Sequence, residues 1–170
     1  MDTSPAWPIL HALALKTGVT LGGLSDTDRL WALAVASLRL SPEASATEAQ
    51  VNQALKAFLQ EEGAFLRTDH VELRRWLVDT GWWTRDGYGH AYRACSPQAL
   101  APHLWPIAQS LSQGDVARWM VECRKAAMQR RQARREAWAA QQGSITAKTS
   151  HAQALSAAQP NPPQTGPGRT

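Results

Sequence analysis

The sequence predicts a mainly α-helical protein with a small β-hairpin, organised around a winged-helix-like domain at residues 25–94. Three observations predict it. Apolar stripes of helical period follow one another from Ser25, each opened by a capping residue. A glycine at the end of the third stripe leads into two short β-prone runs around Asp86-Gly87-Tyr88-Gly89. Beyond them the composition turns basic and alanine-rich, which sets a C-terminal helical region, 95–142, apart from the domain.

The elements follow in chain order. Residues 1–24 form an N-terminal extension in which Ile9, Leu10, Leu13 and Ala14 share one face of a short helix. Ser25 and Asp28 have capping-box spacing, and Leu30, Leu33, Ala34 and Leu38 make the first domain helix, stopped before Ser41-Pro42. Ser45 and Glu48 form a second box ahead of the stripe Val51, Leu55, Phe58 and Leu59, and Gly63 closes that helix. Glu61 and Glu62 are expected to point in different directions on it. Thr68 or Asp69 caps the third helix, whose face is Leu73, Trp76, Leu77 and Thr80, and Gly81 supplies its left-handed end. Trp82–Arg85 and His90–Arg93 are the hairpin strands. Ser96-Pro97 restarts helix, Pro102 and Pro106 break it into turns, and Asp115 to Gln142 is one long helix. Residues 143–170 lack large apolar side chains to offset the entropy of ordering, so a disordered tail is expected.

Charge and composition narrow the function classes. The net charge is +4, yet residues 1–114 hold nine Lys/Arg against eleven Asp/Glu, while 115–142 hold seven against three. The basic surface therefore belongs to the C-terminal third, and a basic patch rather than a basic total attracts phosphates. Eight tryptophans against two phenylalanines and two tyrosines read as bulky core filling. Cys95 and Cys123 form no C-x-x-C pair and no disulfide framework. The apolar run Ile9–Leu15 is interrupted by His11 and lacks a basic flank, so neither a signal peptide nor a membrane span is read there. A soluble, cytoplasmic protein without membrane contact is the expectation.

Thr47-Glu48-Ala49-Gln50-Val51-Asn52-Gln53-Ala54-Leu55, Leu73-Arg74-Arg75-Trp76-Leu77-Val78-Asp79-Thr80-Gly81, Arg85-Asp86-Gly87 and Tyr92-Arg93 form a combined pattern. That pattern resembles a bacterial family catalogued as a domain of unknown function, over about residues 26 to 94. Members of that family occur fused behind an ArsR-like helix-turn-helix domain. The resemblance implies a compact helical domain with a hairpin and a link to transcriptional regulation, without a known activity. About 25 residues precede the segment here, too few for a second DNA-binding unit.

Candidate functional residues are weighed against local explanations. Arg74 and Arg75 occupy the recognition-helix position, and Arg85 and Arg93 flank the wing, where guanidinium groups meet guanine edges or phosphates. The competing reading pairs Arg75 with Asp79 or Glu72 along the helix, since residues 64–93 hold five arginines against four acids. Asn52 either bonds a neighbouring loop or faces a ligand. The stretch Arg124 to Arg135, with Arg130, Arg131, Arg134 and Arg135 at its heart, is a candidate phosphate-binding arm. Trp119, Met120 and Cys123 offer a dimerisation or partner face instead. His90, Cys95 and His103 match no zinc spacing, and no nucleophilic triad, phosphate loop or carboxylate pair is present. The expectation is a non-enzymatic module without cofactor or metal. Its partner is duplex DNA, or alternatively a protein or a second copy.

Overall fold

The structure, a computed structural model, describes residues 6–112 and 114–157. Its elements are α1 (Ala6–Leu15), α2 (Asp26–Ser37), β1 (Ala46–Thr47), α3 (Glu48–Gln60), α4 (His70–Asp79), β2 (Trp83–Arg85), β3 (Ala91–Ala94), α5 (Trp105–Leu111) and α6 (Val116–Ala157). Short 3-10 turns lie at Leu21–Gly23 and Pro97–Ala99. The chain divides into two units, Met1–Ala127 and Met128–Thr170. The mainly helical character and the small antiparallel sheet are as the sequence predicts.

In the first unit, α1 buries Leu10, Leu13 and Ala14, the face its spacing specifies. Ser25 caps α2 by accepting from the Asp28 N–H at 3.1 Å, with Asp26 and Asp28 in the first turn to match the helix dipole. The expected single stripe on α2 is corrected: Trp31 through Ser37 are all buried, while Leu38 is 51% exposed. Helices α1, α4 and α5 all pack on α2, so its small residues Ala32, Ala34 and Ala36 face neighbours on every side.

The box expected at Ser45 and Glu48 lies two residues later. Thr47 accepts from the Gln50 N–H, and the Gln50 side chain accepts from the Thr47 N–H at 2.8 Å. The cause is β1, which the periodicity does not reveal. Ala46 pairs with Tyr92 and Thr47 with Ala91, so the backbone stays extended through Thr47 before the helix begins. The sheet order is β1-β3-β2, all antiparallel, with Trp83 opposite Ala94 and Arg85 opposite Tyr92.

Val51, Leu55 and Phe58 bury one side of α3, and Leu73 and Leu77 one side of α4. Beneath the sheet Trp83 is 1% exposed, and its indole N–H donates to the Ser37 carbonyl at 3.2 Å, tying β2 to the end of α2. Glu61 and Glu62 do not diverge: both lie past α3 and accept from Arg39. The Glu62 carboxylate is 2% exposed and receives Arg39 through both Nε and a terminal nitrogen. That bidentate contact, with Glu61 beside it, holds the Arg39 guanidinium above its ordinary pKa.

The C-terminal flank belongs to the same core. Leu104, Leu111, Val116 and Met120 are buried in it. Trp119 packs edge-on to Trp7 at 4.7 Å between ring centres. Arg124 donates to the carbonyls of Ala14, Lys16 and Ala64 at 3.3, 2.9 and 2.8 Å. Two of these carbonyls belong to the end of α1 and the turn after it, where helical partners run out. Ser96-Pro97 opens only a 3-10 turn rather than a helix, and Ser96 makes no side-chain cap. Helix α6 continues past Gln142 to Ala157. The remainder of the expected tail, 158–170, lies outside the described residues.

Gly63 shows how tightly the α3 turn is built. A Cβ there would lie 2.2 Å from the Phe58 ring, while the Gly63 N–H donates to the Phe58 carbonyl at 2.9 Å. Gly63→Ala is therefore expected to destabilise the protein by about 1–3 kcal/mol through overpacking, measured by urea unfolding. Adding Phe58→Leu should recover part of that loss; a fully tolerated Gly63→Ala contradicts the packing argument.

Candidate functional site

The exposed side of α4 is the complement of its buried one. With Leu73 and Leu77 in the core, Val71, Arg74, Arg75 and Val78 recur at helical spacing along the other face. Strand alternation brings Arg85 beside Tyr92, its partner in register, on the side of the hairpin that meets this face. Together with Asp79 these residues line a cleft of about 360 Å³.

The arginines in the cleft are not equivalent. Arg74 donates to Glu48 Oε1 at 2.7 Å and to Asn52 Oδ1 at 2.8 Å, and its guanidinium lies over the Tyr92 ring at 5.5 Å. It joins α4, α3 and β3, and its side chain is 16% exposed. The intrahelical pairing weighed for this helix does not form. Glu72 accepts from the Thr68 hydroxyl at 2.5 Å, and Arg75 has no ion-pair partner among the described residues. Arg85 also lacks one. Asn52 holds the Arg74 side chain through its Oδ1. Glu48 and Asn52 are one helical turn apart on α3, which makes them neighbours, but no sequence rule points that pair at Arg74.

The structure separates the remaining candidates. Arg93 sits opposite Thr84, one residue out of phase with Tyr92, and donates to the Ser45 hydroxyl at 2.9 Å outside the cleft. Met120 is 1% exposed and Trp119 packs on Trp7, so the proposed partner face is used within the fold. Arg124 leaves the expected phosphate arm for its three carbonyls. Arg130, Arg131, Arg134 and Arg135 belong to the second unit, where all four are exposed. Among the described residues no three His, Cys, Asp or Glu side chains gather as metal ligands. Burial pushes the Cys95 thiol up, away from the thiolate a metal needs. No helix among the described residues is long and apolar enough to cross a membrane.

Residues 25–94 match the family described as "Uncharacterized protein conserved in bacteria (DUF2087)". No curated protein and no solved structure matches the chain. The DUF2087 segment runs from the cap of α2 to the end of β3, and so contains the whole sheet and the whole cleft. Within it, Val51, Leu55, Leu73 and Leu77 serve the core, while Glu48, Asn52 and Arg74 form the link between helices.

Two carboxylates shape the ends of the cleft elements. Asp69 accepts from the Glu72 and Val71 backbone N–H groups, each at 2.8 Å, and these hold it below the usual carboxylate range. Asp86 is likewise held down by the N–H groups of Ala91 and His90 across the hairpin turn. Gly89 closes that turn at φ +75°. A carboxylate with a depressed folded pKa contributes above its unfolded pKa, and the contribution disappears as pH falls through the folded value. NMR titration should therefore place the Asp69 and Asp86 midpoints below an ordinary aspartate, with the Ala91 and Glu72 amide signals shifting together with them. Ordinary midpoints would contradict the capping geometry.

The arginines make a second expectation. Arg74→Ala should cost about 1–3 kcal/mol in urea unfolding, because it strips a charge-assisted link between helices. Arg75→Ala and Arg85→Ala should change stability by less than about 0.5 kcal/mol. Equal costs at Arg74 and Arg75 would argue against this division.

Proposed function

We propose that the protein is a non-enzymatic, transcription-associated module that binds duplex DNA, with α4 and the β2–β3 hairpin against the sugar–phosphate backbone. The observation that carries this reading is the pair Arg75 and Arg85, which line one cleft from two elements without an ion-pair partner among the described residues. An unpaired guanidinium offers a forked donor set suited to phosphate, and releasing counterions from the DNA favours its docking. Arg74 contributes by fixing the cleft wall rather than by reaching the ligand.

The order helix, strand, helix, helix, strand, strand supports a winged-helix-like reading, in which the third helix and the wing face the duplex. The exposed arginines at 130, 131, 134 and 135 form a basic stretch of the second unit that by itself adds affinity for phosphates. The link to transcription rests on the resemblance to proteins that carry an ArsR-like domain. The alternative, a dimerisation or protein-binding module built on Trp119 and Met120, has less support because both side chains pack inside one chain.

Fluorescence anisotropy with a labelled duplex tests the proposal. Affinity should fall steeply with salt, and the combined change Arg75→Gln/Arg85→Gln should reduce the slope of log K against log salt by about 1.8. Failure of the unmodified protein to bind any duplex at low salt would sink the reading.

A further inference from the structure

The second unit carries an exposed tryptophan among its arginines, and the duplex reading does not use it. At about 100° per residue, Arg130, Arg134, Trp138, Arg131 and Arg135 fall in that order across one arc of α6 about 140° wide. Trp138 lies in the middle of the arginines and is 65% exposed. The stripe extends about 12 Å along the helix from Arg130 to Trp138. Glu136 is the one acidic residue between 128 and 142; it lies off the arc and accepts from the Gln132 side chain at 2.7 Å.

The composition of this stripe points to its partner. Its cations are all arginines, which fork onto phosphates and also stack on planar rings. A large exposed indole among them is costly to leave in water and adds nothing to a purely electrostatic contact. An unpaired base has the flat face that such an indole matches, whereas the bases of a closed duplex are stacked on each other. A lipid surface fits less well: the side of the helix away from the arc carries Gln129, Gln132, Ala133, Glu136 and Ala140, with no broad apolar face to bury.

We propose that this face of α6 is a single-stranded nucleic-acid site, in which Trp138 stacks on an unpaired base while arginines on both sides of it hold the flanking phosphates. The proposal shares with the duplex reading the idea that α6 arginines meet phosphates, but it does not depend on the α4 cleft.

The test uses the full chain, titrated separately with labelled oligothymidylate, a duplex of equal length and phosphatidylserine vesicles. Trp138→Ala should weaken oligothymidylate binding about tenfold and leave duplex binding unchanged, while Trp138→Phe retains most of the affinity. Arg134→Gln/Arg135→Gln should lower the salt slope for the single strand by about 1.4. Arg75→Gln/Arg85→Gln should leave single-strand binding intact, so that failure of the cleft and failure of the stripe give different results. The proposal is overturned if oligothymidylate does not bind at low salt or if Trp138→Ala binds it like the parent. Loss of both nucleic acids together on that change, or preferential binding of the vesicles, would equally overturn it.

Discussion

Arg74 stands where three elements of the domain meet, and the shape of the candidate site depends on what holds it. Glu48 and Asn52 on α3 accept from its guanidinium while the Tyr92 ring lies beneath, so one side chain sets the distances among helix, helix and strand. A charge-assisted contact of this kind is directional in a way that the leucines below it are not. The apolar core holds α3 against α4 and seats the hairpin; Arg74 adds a polar link from both helices to β3. Glu48 and Asn52 both engage one terminal nitrogen of Arg74, which commits that nitrogen within the fold. That leaves Arg75 and Arg85, whose positions follow from the same arrangement, to give the cleft its chemistry.

Local signals in the sequence predict most of the elements and few of their connections. Ser25, Asp69 and Gly81 cap or end their helices as the residue types require, since capping is decided within a few residues. β1 is not visible in that way. Two residues carry no period, and Ala46-Thr47 is extended only because β3 lies alongside. The same limit explains Arg39 and Arg124. Nothing near Arg39 announces that Glu62, well downstream, is its buried partner, and a run of arginines reads as a solvated arm until one of them is found to face three carbonyls. At the site, the sequence singles out the arginines of α4 and the hairpin in a nearly neutral stretch, but it cannot tell a structural arginine from an unpaired one. That difference lies in Glu48 and Asn52, which belong to another helix.

The two units distribute charge differently. In the first, several cations are paired with acids: Arg39 with Glu61 and Glu62, Lys16 with Asp28, Arg74 with Glu48. Such pairs add specificity to the fold and contribute little field at a distance, particularly where solvent screens them. In the stretch 128–142, four exposed arginines share one acidic residue, so the field there is of one sign.

The Arg124 contacts also have a consequence for how the chain is made. Its guanidinium caps carbonyls at Ala14, Lys16 and Ala64, the last of them inside the DUF2087 segment. During synthesis the N-terminal helix and the turn after α3 leave the ribosome long before residue 124 does. Until then these carbonyls have only water, and the apolar faces that Val116 and Met120 later cover stay open. The Arg124 contacts and the cover from Val116 and Met120 can form only after most of the chain has been translated. Apolar surface left open during that interval is the kind through which incomplete chains misassemble.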